Sequence, residues 1–193
     1  MCKFAQRLRA TFLAPLHRGR GWGWVFLLCL CSCKDKADTF ILEGNVASLA
    51  NDTLYVYGAD ALYERIDTVV AVDGVFSYEA KVDTVTPMWV LFPNRHREIL
   101  FADKGLTTTL QGDTAAAGHI RVVGGEQDAL LAEFRQMTDT INDGKRITAV
   151  ADSFIRSNPY SEVSIHLLRE YFVQQPQPNY TKIKTLIASM SGN

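Results

Sequence analysis

The side chains able to do chemistry are few and scattered. All four cysteines, Cys2, Cys29, Cys31 and Cys33, fall at or before position 33, so the rest of the chain offers no thiol pair for a redox centre or a disulfide. Cys33 is the thiol best placed to react. It ends Leu30-Cys31-Ser32-Cys33, where the small Ser32 lets an enzyme approach the backbone and the thiol can take an acyl group. His96 sits in the basic loop Pro93-Asn94-Arg95-His96-Arg97, where guanidiniums could receive an anion; the plain reading is a solvated loop tip. His119 and His166 lack a second His or Cys at ligand spacing, so no metal site is expected. Asp139, Asp143 and Gly144 begin like a calcium loop, but Ile141 and Val150 stand where oxygen ligands are needed. Tyr55, Tyr57 and Trp89 could stack on a sugar, yet strand aromatics are ordinarily core. There is no Gly-x-Gly-x-x-Gly, P-loop, Gly-x-Ser-x-Gly or His-Glu-x-x-His motif. The expectation is no catalytic residue, no metal and no cofactor.

Asp followed by Thr or Ser recurs at Asp38-Thr39, Asp52-Thr53, Asp67-Thr68, Asp83-Thr84, Asp113-Thr114, Asp139-Thr140 and Asp152-Ser153, where composition alone would give roughly one or two such pairs. Five continue with an aliphatic residue: Leu54, Val69, Val85, Ala115 and Ile141. Asp-Ser/Thr-aliphatic resembles the acceptor motif for O-glycosylation in some Gram-negative envelope proteins. Thr53, Thr84 and Thr114, at predicted turns, are the best acceptors. Thr68 in a predicted strand and Thr140 late in a helix are poorer. The plainer account is that Asp closes a local hydrogen bond at a turn while Thr enters the sheet.

The stretch leading to Cys33 has the parts of an export signal. Lys3, Arg7, Arg9, Arg18 and Arg20 come first, with no acid among them. An apolar run from Trp22 to Cys31 follows, half the ~20 residues that a spanning helix needs. Leu30-Cys31-Ser32-Cys33 resembles the lipobox of bacterial lipoproteins. That resemblance implies cleavage between Ser32 and Cys33 and lipidation of Cys33, with acyl chains such as palmitate holding the protein to a membrane. One chain holds only marginally, since each buried methylene contributes about 0.8 kcal/mol; three chains, usual at such a cysteine, hold stably. The expected location is the envelope of a Gram-negative bacterium, on its outer membrane.

Five of the twenty Lys and Arg precede Cys33 and all 21 acids follow it, leaving residues 33–193 at a net charge of −6. These charges are interspersed, which argues against nucleic acid as a partner. The expected organisation is a removed leader over 1–32, a tether over 33–38, a β-rich domain over 39–125 and a helical segment over 126–193. Length after the leader suits one domain, or one plus a small appendage.

Strands are predicted at 40–46, 53–57, 63–72, 75–82, 88–92, 98–101, 107–110 and 120–123 from alternation and β-branched or aromatic residues. Asp73-Gly74 predicts a type I′ turn joining 63–72 and 75–82 as a hairpin. Eight short strands at this spacing predict a β-sandwich or open barrel. After Gly124-Gly125 the period becomes helical. Leu130, Leu131, Phe134, Met137 and Ile141 mark one helix, and Ile147, Val150, Ala151, Phe154 and Ile155 a second, stopped at Asn158-Pro159. A third, from Ser161, puts Ile165, Leu168 and Phe172 inward. Asn179 caps a fourth. The fold class is mainly β followed by α.

Phe40-x-Leu42-x-Gly44-x-Val46, Leu54-Tyr55-Val56-Tyr57, Asp67-Thr68-Val69, Asp73-Gly74-x-Phe76-x-Tyr78 and Asn158-Pro159-x-Ser161, in that order, resemble the domain of unknown function 4369 (DUF4369). The resemblance implies a β-rich N-terminal domain of exported lipoproteins, commonly followed by helices and a thioredoxin-like thiol-disulfide oxidoreductase domain. The Cys-x-x-Cys of that last domain has no counterpart here, so the redox activity does not carry over. The resulting expectation is a lipid-anchored accessory or binding module, not an enzyme, whose partner is a thioredoxin-like or other envelope protein. The alternative is the N-terminal part of a split or truncated thiol-disulfide oxidoreductase.

Overall fold

Period-two burial builds the first half of the chain. In a computed structural model describing residues 38–114 and 119–191, the strands are β1 (Thr39–Val46), β2 (Thr53–Gly58), β3 (Ile66–Val70), β4 (Val75–Lys81), β5 (Thr86–Leu91), β6 (Arg97–Ala102), β7 (Thr107–Asp113) and β8 (His119–Val123). The leader, Ser32 and Cys33 lie outside the described residues. One sheet runs β4-β1-β7-β8 and the other β3-β2-β5-β6. Phe40, Leu42 and Val46 from the first sheet meet Leu54, Val56, Met88 and Val90 from the second in one fully buried core. The arrangement is sandwich-like, as predicted, and does not close into a barrel.

The Asp73-Gly74 turn forms as its residues dictate, with φ of 52° and 78°. Val72 and Val75 exchange both backbone hydrogen bonds, at 2.9 and 3.0 Å. The predicted hairpin, however, stops at that single bridge. β3 pairs with β2, and β4 pairs with β1 in the other sheet. The cause lies on either side of the turn. The Gly74 N–H donates to the Ala50 carbonyl (2.7 Å) and the Gly74 carbonyl accepts from Val46 (2.9 Å), which hands β4 to β1. The Ala71 N–H meanwhile donates to the Asp52 carbonyl (2.9 Å) and keeps the end of β3 on β2.

Two side-chain devices support the sheets, the first between them and the second within one of them. The hydroxyls of Tyr63 and Tyr78 lie 2.6 Å apart and both face the Asp67 carboxylate, while Arg65 pairs with Asp67 at 2.9 Å. This closes the gap where β3 and β4 part. On β1, Gly44 lies opposite Phe76, and a Cβ there would sit 2.0 Å from the ring; the ring lies where a side chain would have been.

The helices are α1 (Glu126–Thr138), α2 (Gly144–Ser157), α3 (Glu162–Leu168) and α4 (Tyr180–Met190), with α3 continuing into a π turn, Arg169–Val173. Asp143, Ser161 and Asn179 cap α2, α3 and α4 through their side chains. In α3 the inward stripe is Val163, Leu167 and Leu168, and it leads on to Phe172. The predicted inward Ile165 is half exposed, because the cap at Ser161 sets the helix phase and leaves it on the opposite face.

The helices bury the outer side of β6. Leu100 and Ala102 enter the sandwich core, while Ile99 and Phe101 pack under Leu131, Phe134, Ile155 and Leu167. That explains an uninterrupted apolar run in one strand. Asp128 of α1, 3% exposed, holds the junction. Its carboxylate accepts from the Phe101 N–H (2.9 Å) on one sheet and from the Thr108 hydroxyl (3.3 Å) on the other. A Cβ on Gly124 would lie 2.0 Å from that carboxylate, so glycine is needed where β8 approaches α1.

Candidate functional site

The basic loop does not stand alone in solvent. It joins β5 to β6, turned by the Arg95 N–H donating to the Phe92 carbonyl and by Asn94 Oδ1 accepting from His96 N–H at 3.0 Å. Arg95 takes a left-handed conformation, φ 68°, where glycine would sit without strain. Beside the loop, the outer face of β5 and β6 meets α1 and the end of α3 across a cleft of about 370 Å³. Trp89, Arg95, His96 and Arg97 line one wall; Arg135, His166, Glu170 and Tyr171 line the other.

Each charged group is held differently. The Arg97 guanidinium lies 4.9 Å over the Trp89 ring, a cation–π contact that restricts an otherwise mobile side chain. His166 meets the same ring edge-on at 5.9 Å. Glu98, 5% exposed, is paired with Arg135 at 2.5 Å and faces His96 Nε2 at 3.5 Å. Burial, with Arg135 and Arg169 nearby, pushes His166 down to about 4, so its ring is neutral at pH 7. Burial raises Tyr171, with Glu170 adding to it. The π turn brings Glu170 and Tyr171 to the rim; its wider backbone bond runs from Gln174 N–H to the Arg169 carbonyl at 2.9 Å. Such turns recur at functional sites.

The sequence pointed to the loop but missed its far wall. Arg135 and His166 come from helices, and nothing local to them names the loop as their neighbour. Glu98 carried a signal: an acid at the mouth of an apolar strand needs a partner when buried.

The three candidate acceptor threonines fall apart in space. Thr84 is exposed in the bend between β4 and β5. Thr53 opens β2, half-buried, its N–H bonded to Asp52 Oδ1 at 2.7 Å. The Thr114 hydroxyl is hydrogen-bonded to Ser48 Oγ at 2.8 Å. Thr68, predicted a poorer acceptor, is exposed on β3. Tyr57 lies directly opposite Trp89 where β2 pairs with β5, and Tyr55, exposed, lies two residues along on the same face. Among the described residues no cluster of three or more His, Cys, Asp or Glu could hold a metal ion, and no helix is long and apolar enough to cross a membrane.

Residues 40–131 match the domain of unknown function DUF4369. The match runs from β1 through the sandwich and into α1, taking in Asp128 and Leu131. Comparison with curated proteins gave no match.

Proposed function

Residues 40–131 being a DUF4369 domain, we propose that this protein is a lipid-anchored module of the cell envelope that binds a partner and does no chemistry of its own. The observation that carries this reading is where the recognisable residues go. Gly44 receives Phe76, Asp67 clasps Tyr63 and Tyr78, Gly74 makes the turn between sheets, and Ser161 caps α3. All are spent on the fold. The cleft, for its part, gathers arginines and aromatic rings, a composition suited to holding an anion.

Anchoring rests on Leu30-Cys31-Ser32-Cys33. Cells fed labelled palmitate incorporate it into the wild-type chain, while Cys33→Ala abolishes the label and leaves an uncleaved precursor. Unchanged labelling of that variant would move the site to Cys31 or remove the anchor. Crosslinking in native membranes recovers an envelope protein; a partner carrying Cys-x-x-Cys would replace the stand-alone module with one half of a two-chain oxidoreductase. On the same reading Thr84 is the foremost glycan acceptor, being exposed on a bend. Protein purified from its native host then carries a sugar increment in its intact mass that Thr84→Val reduces.

A further inference from the structure

Two guanidiniums at the cleft mouth are left uncompensated. Glu98 is engaged by Arg135 and His96. Among the described residues, neither Arg95 nor Arg97 has a carboxylate within ion-pair distance. Arg97 is held on Trp89, which reduces the entropy a ligand must remove on binding. Arg95 is presented by a left-handed backbone conformation that an L residue adopts only under strain. A solvated loop tip needs neither feature.

We propose that this cleft, in the binding module described above, is a site for the oxyanion of a small ligand, carboxylate or phosphate, received by Arg95 and Arg97 against the Trp89 and Tyr171 rings. Planar guanidinium forks match both anions through paired N–H donors. The neutral His166 ring offers a hydrogen-bonding nitrogen without adding a third free charge. Glu98 fixes Arg135 as part of the wall and leaves the anion to the two mouth arginines.

Titrating the full chain, solubilised in detergent, with inorganic phosphate and separately with benzoate tests this by calorimetry. Saturable binding of at least one, with a Kd of about a millimolar or tighter, is expected. Arg95→Gln and Arg97→Gln should each weaken it by about tenfold or more, the scale of a lost charge-assisted hydrogen bond. Lys104→Gln, remote and paired with Asp38, should leave it unchanged. Phosphate binding alone assigns a phosphorylated ligand, benzoate binding alone a carboxylate, and both an oxyanion site of either kind. Equal affinity in the folded Arg95→Gln/Arg97→Gln double variant, or no saturable binding of either anion, overturns the site. If Cys33-dependent labelling persists in that case, the anchored module stands without it.

Discussion

Asp128 is the residue on which sheets and helices converge, and its ionisation is set by that position. Burial pushes its carboxyl up to about 6 despite donors from Phe101, Thr108 and Gly125. A raised folded value means the native state holds the proton more tightly than the unfolded chain, so stability is greatest below about 4 and is lost as the pH rises through 6. At 1.36 kcal/mol per unit the loss amounts to roughly 3 kcal/mol. Urea unfolding should therefore show the wild type's advantage over Asp128→Asn narrowing by about that much between pH 4 and pH 7. Gly44 is constrained in the opposite sense, by space rather than charge. With the Phe76 ring 2.0 Å from an added Cβ, Gly44→Ala should cost about 2 kcal/mol or more through overpacking. Gly44→Ala combined with Phe76→Leu should recover part of it in the same measurement.

At the scale of elements, caps and turns decide where each piece starts and which way it leaves. Ser161 Oγ accepts the Val163 N–H at 3.1 Å and donates to Gln127 of α1 at 2.8 Å. Ser161→Ala should lower the unfolding free energy by about 1–2 kcal/mol, read by denaturant melting. Gly74 at φ 78° faces the Val46 carbonyl 2.6 Å from an added Cβ. Gly74→Ala should cost about 2 kcal/mol from left-handed strain alone, more than Gly144→Ala, where nothing lies within 4 Å. These elements were legible because their signals are local: alternation in Phe76–Val82, Asn158-Pro159 ending α2, Asn179 opening α4. Pairing was not. Asp73-Gly74 announces a turn, but the partner of β4 is fixed by where Val46 and Ala50 lie, and no local pattern carries that. The cleft was half legible for the same reason, since Arg95 to Arg97 are contiguous while Arg135 and His166 arrive by tertiary packing.

For the molecule as a whole, the sandwich and the helices share β6. A chain ended after residue 125 loses Asp128 and uncovers Ile99 and Phe101, which the helices bury. It should bind a hydrophobic dye and elute as aggregate, while the full chain does neither. The parallel pairing of β1 with β7, Ile41 beside Thr107, bears on the order of events in time. A chain released from its N-terminus presents β1 first, yet β1 lies inside its sheet between β4 and β7. Its β7 edge waits, unpaired, until more than sixty further residues have emerged. Closing so long a loop before any contact repays it slows folding. Until then the strand stands open to neighbours, and Phe40 and Leu42, buried in the finished core, are apolar surface that can pair wrongly while the rest arrives.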